Sequence, residues 1–192
     1  MFYPIDAAVP ESLLTGEFLV RPLRATDVEL DYDAVMSSRA ELLLRSGGSW
    51  PREDFRLEEN LADLVRHEQE HNERVAFTYT IMNPGETECL GCIYLNPPER
   101  LLKRAGDSTE QAMAIDDYET WVSFWVRHSR LDDELDARVL QALLNWFETE
   151  WVFKQVAFIA SKEQARDIQL YTAAGMGLLR TLPHSVVYGF HR

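Results

Sequence analysis

From Tyr118 to Phe190 the chain changes hydrophobic period in a fixed order, and that order leaves few folds open. Glu119-Thr120-Trp121-Val122-Ser123-Phe124-Trp125-Val126-Arg127 is aromatic and β-branched and predicts a buried strand. An acidic turn follows, and then Leu135, Val139, Leu140, Leu143, Leu144 and Phe147 recur at helical spacing, which predicts an amphipathic helix over 134–150. Gln155-Val156-Ala157-Phe158-Ile159-Ala160 reads as the next strand. A short helix over 164–174 ends at Gly175, a C-cap glycine, and closing strands fit 178–182 and 186–190.

The first half supplies more of the same α/β pattern. Residues 1–16 read as an irregular arm, leading to a strand at 18–23 in which Pro22 marks an edge or an end. Thr26 and Glu29 fit a capping box for one helix or two short ones over 27–44, stopped by Gly47-Gly48. In the helix after Pro51, Leu57, Leu61, Leu64 and Val65 share one face, which predicts that this face is buried and that Glu58, Glu59, Asp63 and Arg66 meet solvent. Residues 75–82 and 89–95 flank Asn83-Pro84-Gly85 and read as a hairpin, and residues 99–117 as a loop or insertion. At 192 residues, one domain over 17–192 behind the arm accounts for the whole chain.

A net charge of −13 opposes non-specific attachment to nucleic acid or to an anionic membrane. No apolar run is long enough to span a bilayer, and the start lacks the basic and apolar regions of a signal peptide, so a cytoplasmic location is expected.

Early strand, helical pair, hairpin, then strand-helix-strand-helix-strand resembles the GNAT superfamily of N-acetyltransferases over roughly residues 17–190. The closest local matches are Phe124-Trp125-Val126-Arg127, similar to the family's fourth strand, and the stretch Asp167 to Met176 with Tyr171 four residues before Gly175. The resemblance implies a mostly antiparallel central sheet flanked by helices and splayed between the family's fourth and fifth strands. It implies acetyl-CoA as acyl donor, held by the backbone of Phe124, Trp125, Val126 and Arg127. It implies a primary-amine acceptor, a small molecule or a peptide, and leaves a homodimer open; separately, an acidic cleft would attract a cationic small molecule or peptide. Tyr171 would be the general acid that protonates the departing thiolate, with Glu119 or Asp117 as base. Core packing is the competing reading of Tyr171.

In that family the turn before the amphipathic helix runs Gln or Arg, two residues, Gly, one residue, then Gly or Ala, so that backbone N–H groups take a pyrophosphate. Here the matching stretch is Leu131-Asp132-Asp133-Glu134-Leu135-Asp136, and the small positions are lost. Like charges 4 Å apart repel by about 4 kcal/mol at an effective dielectric of 20. Two readings follow. Asp132, Asp133, Glu134 and Asp136 form a helix cap without ligand, or they point outward while His128, Arg130 and Arg138 compensate an altered, degenerate pyrophosphate turn. Gln164 stands at the family's Asn position, Asp167 at its Ser and Met176 at its Phe. The expected activity is N-acyl transfer, and the alternative is a GNAT-fold binding or regulatory module that does not use acetyl-CoA.

Two further motifs point elsewhere. His67-Glu68-Gln69-Glu70-His71 matches H-E-x-x-H, but its polar flanks predict a solvated helix end, and no metal is expected. Cys89-Leu90-Gly91-Cys92 is C-x-x-C without a second pair, and on a regular strand the two thiols would face opposite sides. Trp121, Phe124, Trp125, Trp146, Phe147 and Trp151 supply core or cleft wall.

Overall fold

The computed structural model describes residues 2–100 and 118–191. An eight-stranded sheet runs in the order β1-β2-β3-β4-β5-β6-β8-β7. Its strands are β1 (Leu13–Leu14), β2 (Leu19–Pro22), β3 (Phe77–Met82), β4 (Cys89–Asn96), β5 (Thr120–Val126), β6 (Gln155–Ser161), β7 (Gly177–Thr181) and β8 (Ser185–His191). Every neighbouring pair is antiparallel except β5 and β6. The parallel pair is joined by a crossover through helix α4 (Leu135–Thr149). Helix α5 (Ala165–Ala173) follows β6, and α1 (Val28–Ser37), α2 (Arg39–Arg45) and α3 (Leu57–Asn72) lie between β2 and β3 in sequence.

Side chains alternate across β5, and two apolar layers result. Val122, Phe124 and Val126 join Leu140, Leu143, Phe147 and Phe158 in the larger core. Trp125 joins Leu23, Val35, Leu42 and Leu64 in the layer under α1–α3. Residues 1–16, expected as an irregular arm, contribute to the first layer: Tyr3 is fully buried and meets Phe77 and Trp151 edge-on. The arm also adds β1 to the sheet edge.

Two local expectations are corrected. On α3 the buried residues are Asn60 and Leu64, whereas Leu57, Leu61 and Val65 are 37%, 41% and 49% exposed. The face turned to the sheet is Asn60, Leu64, His67, His71, because buried hydrogen bonds to Asp31 and Thr78 are available there. The cysteines are also not on opposite faces. Met82 pairs with Cys89 and Ile81 with Gly91, so Leu90 is an extra residue in β4, and this bulge brings both thiols into the layer under α1–α3.

Gly91 permits the bulge. Its φ is +147°, and a Cβ built there would lie 2.0 Å from the Trp125 carbonyl oxygen. We expect Gly91→Ala to lower the unfolding free energy by about 3 kcal/mol or more in urea titration, because backbone, not a movable side chain, occupies the space. A change within about 0.5 kcal/mol would show that the bulge relaxes freely.

Candidate functional site

The sheet opens at one place. β5 and β6 pair only from Thr120↔Val156 to Val122↔Phe158. Beyond that β5 stays with β4 as far as Val126, and β6 stays with β8 as far as Ser161, so the halves of the sheet part. The Arg127 N–H donates to the Leu90 carbonyl at 2.7 Å. Antiparallel alternation then turns the backbone groups of Phe124 and Val126 toward the gap.

A cleft lies on each face of the opening. The larger, about 490 Å³ under α1–α3, is lined among others by Asp31, Asn60, His67, Tyr94, Trp121 and Trp125. The smaller, about 260 Å³, lies against Phe124, Val126, Asp136, Gln164, Arg166 and Asp167. Leu42, Arg45 and Trp125 line both. Arg45 at the end of α2 donates to Asp167 at the start of α5 at 2.6 Å, joining the two halves across the opening. Burial pushes the Asp167 carboxyl up, against the pull of Arg45.

Tyr171 stands beneath the apex of the opening. It is fully buried, packs against Phe124, Phe158 and Tyr188, and its hydroxyl donates to the Ile159 carbonyl at 3.4 Å. Burial pushes its phenol well up, so it stays protonated. Glu119 is at the far end of β5, exposed, and accepts from the backbone N–H groups of Lys154 and Gln155. It lines neither cleft. Asp117 lies outside the described residues.

The acidic turn has an internal use for one carboxylate. Asp136 is 3% exposed and held by both arms of Arg166, which also donates to the Leu131 carbonyl at 2.7 Å. Glu134 takes the left-handed conformation, φ +55°, at the place where the GNAT pattern has glycine. Asp132, Asp133 and Glu134 are exposed. Arg138 donates to the Asp133 carbonyl and pairs with Glu17, and His128 pairs with Glu41. Arg127 is bound to Asp33 and faces Glu88. The Arg130 Nε is buried and has no hydrogen-bond partner among the described residues. Gln164 caps the loop before α5, accepting from the Ser161 N–H.

Sequence reasoning passed over Asp31. It is 3% exposed, accepts from Asn60 Nδ2 at 2.9 Å and from the Cys92 thiol at 3.3 Å, and lines the larger cleft. The available signal was position: Asp27, Asp31, Ala34 and Val35 fall on one side of the helical turn and are all buried. Asp31, Cys89 and Cys92 bring ligand-type atoms within 4.8 Å of one another, the one such group among the described residues.

The two histidines of H-E-x-x-H do not lie on a solvated helix end. His67 Nδ1 meets the Thr78 hydroxyl and His71 Nδ1 the Thr78 carbonyl, each at 3.1 Å, and both rings pack on aromatic side chains of the sheet. Burial, with Arg66 alongside, lowers His67 to about 4. The folded state therefore binds this proton less tightly than the unfolded chain, whose histidines titrate near 6.5. Stability is complete above about pH 6.5 and declines as pH falls toward 4, by up to about 3 kcal/mol from His67. His71, also lowered by burial, adds in the same direction. Chemical denaturation at pH 7.5 and pH 5 should show this loss and a smaller one in His67→Gln. An equal loss in the variant would remove His67 as its source.

No protein-family model matches the sequence, and no curated protein matches it. Solved structures do match. The chain superposes on RimL, a ribosomal L7/L12 alpha-N-protein acetyltransferase, with a TM-score of 0.70 at 15% identity, over 98% of each chain. The ribosomal-protein-S5-alanine acetyltransferase of Vibrio fischeri gives 0.68 at 11% identity, over 95% of this chain and 97% of the other. The microcin C7 self-immunity acetyltransferase MccE, solved with acetyl-CoA and AMP, gives 0.70 at 10% identity, over 93% and 94%. Together with the splayed parallel pair between two otherwise antiparallel sheet halves, these similarities show that the chain has the GNAT fold.

Proposed function

We propose that the protein is an acyl-CoA-dependent N-acyltransferase. The observation that carries this reading is the opening between β5 and β6, where backbone groups of Phe124 and Val126 face a gap with a cleft on either side. Buried backbone donors and acceptors are rarely left without partners, and an extended amide-bearing chain such as pantetheine supplies them. The thioester of acyl-CoA provides the activated acyl group. Phe124 to Arg127 orient the donor, and Gln164, Arg166 and Arg130 border the turn that meets its phosphates.

Asp136 does not oppose a phosphate there, because Arg166 holds it inward. Asp132, Asp133 and Glu134 are left at the surface, so the turn is an altered seat rather than one filled by carboxylates. In this reading the Tyr171 hydroxyl, which lines neither cleft and donates to the Ile159 carbonyl, turns from that bond to give its proton to the departing thiolate as the amine nitrogen bonds to the acyl carbon. The acylated nitrogen releases its extra proton to water and the tyrosinate takes one back from water, which leaves the amide and the free CoA thiol. The acceptor enters by the larger cleft, through which a small amine or the end of a peptide fits. Glu119 is given no part as base, since its carboxylate is engaged at the opposite end of β5.

A second reading rests on the same turn. Arg166 and Arg45, two cations that a phosphate would use, are already bound to Asp136 and Asp167. If those pairs do not open, the fold serves as a binding or regulatory module. Calorimetric titration with acetyl-CoA and with CoA separates the two. We expect saturable one-to-one binding and stabilisation by about 2.7 kcal/mol at a hundredfold excess over Kd. No heat and an unchanged melting temperature would establish the second reading. Tyr171→Phe should leave folding nearly unchanged and lower turnover by about a hundredfold with KM for acyl-CoA retained. Full activity in that variant would remove the assigned role.

A further inference from the structure

A third hollow lies beyond the open end of β6, and the acyl-donor site makes no use of it. It encloses about 370 Å³ between the end of α2 at Arg45 and Ser46, the residues Ser161 and Lys162 that leave β6, and the turn 182–185 that joins β7 to β8. Arg45, Ser46, Ile159, Ser161 and Ser185 line the larger cleft as well, so the two spaces adjoin. Ser161 and Ser185, paired across β6 and β8, stand at their common border.

The turn is fastened to β6. The Lys162 N–H donates to the His184 carbonyl at 3.1 Å, the Leu182 N–H to the Ser185 carbonyl at 2.8 Å, and Lys162 Nζ to the Pro183 carbonyl at 3.1 Å. An ammonium group has three protons, and that carbonyl takes one.

Donors outnumber acceptors in the lining. Arg45 gives its Nη2 to Asp167, but its Nε is buried and has no hydrogen-bond partner among the described residues. Buried N–H groups are rarely left so. Lys162 and His184 pair with no carboxylate among the described residues, although the chain carries 32 acidic residues to choose from. The Ser161 hydroxyl accepts from the Glu163 N–H at 3.4 Å, and neither its proton nor that of Ser185 is donated to a described residue. Against these donors the lining has one carboxylate, the exposed Glu163. With Asp167 on Arg45 and Glu163 at the border, the surplus of positive charge is small, which suits a monoanion such as a carboxylate better than a phosphate dianion.

We propose that this hollow is a carboxylate subsite, so that the molecule bound across the two spaces carries an acid as well as its amine. The inference rests on the acyltransferase reading in calling that molecule the acceptor, and deepens it by naming the acceptor's second functional group. The carboxylate belongs either to a small amino acid or to an acidic side chain close behind a peptide N-terminus. Overall acidity favours a cationic acceptor, but recognition follows the charges that line the site, and here the unpaired ones are basic.

Calorimetry on the full chain, with no acyl donor present, tests this with two pairs of probes: the α-amides of Ala-Glu and Ala-Gln, and β-alanine with propylamine. We expect at least one acid to bind about tenfold or more tightly than its neutral counterpart, and that preference to fall as salt is raised. The pair that shows it identifies the source of the carboxylate. Lys162 is exposed, so Lys162→Met should keep the fold, checked by thermal melting. It should shrink the preference about fivefold, whereas Lys162→Arg should retain it. A merely structural Lys162 would weaken acid and neutral probes alike. Equal affinities within both pairs, no binding by either acid, or a preference unchanged in Lys162→Met overturns the proposal. Acid preference without acetyl-CoA binding would sink the acyltransferase reading and leave the subsite standing. Acetyl-CoA binding without acid preference would sink the subsite alone.

Discussion

The parting of β5 from β6 after three residue pairs is the constraint on which the rest of the molecule turns. A sheet gains by pairing every buried backbone group, so an interior opening must be held against closure. On one face Tyr171 does this, its ring set between Phe124 of β5 and Phe158 of β6 at centroid distances of 6.4 and 5.5 Å. On the other, Trp125 fills the angle, and the Arg45 to Asp167 pair ties α2 to α5 over the gap. The wedge that keeps the sheet open is thus the same residue whose hydroxyl lies at its apex.

Charge is handled differently on the two sides of that opening. Toward the acidic turn, carboxylates and guanidinium groups are matched inside the protein, Asp136 with Arg166 and Asp167 with Arg45. Toward the larger cleft, Asp31 is buried and held by two neutral donors, Asn60 and the Cys92 thiol. The first arrangement stabilises the fold by itself. The second holds the carboxyl by hydrogen bonds alone, and burial raises it toward the neutral form.

Much of the fold was legible in the sequence because long periodic segments report their own burial. The α4 stripe from Leu135 to Phe147 and the aromatic run of β5 are examples. What was not legible depended on partners distant in sequence. On α3, counting apolar positions favoured Leu57, Leu61 and Val65, but α1 offered Asn60 a hydrogen bond to Asp31 and the sheet offered Thr78 to His67 and His71, and burial followed those. C-x-x-C read as a regular strand separates its thiols. One extra residue, allowed by Gly91, reverses that. Tyr171 was found through its spacing from Gly175, whereas Asp31 belongs to no motif and shows itself only in three dimensions, through its burial and its bonds to Asn60 and Cys92.

The acidic turn shows why residue identity and local electrostatics must be kept apart. Counted in the sequence, Asp132, Asp133, Glu134 and Asp136 present four negative charges to any anion. In space the one buried carboxylate, Asp136, is paired with Arg166, and the other three are at the surface, where water and salt screen them within about 10 Å. The cleft on that side is lined by Phe124, Val126 and Arg166, and by none of Asp132, Asp133 and Glu134. Whether the turn accepts a phosphate is therefore set by the competition between that phosphate and Asp136 for one guanidinium group, and not by the number of acidic residues in the loop.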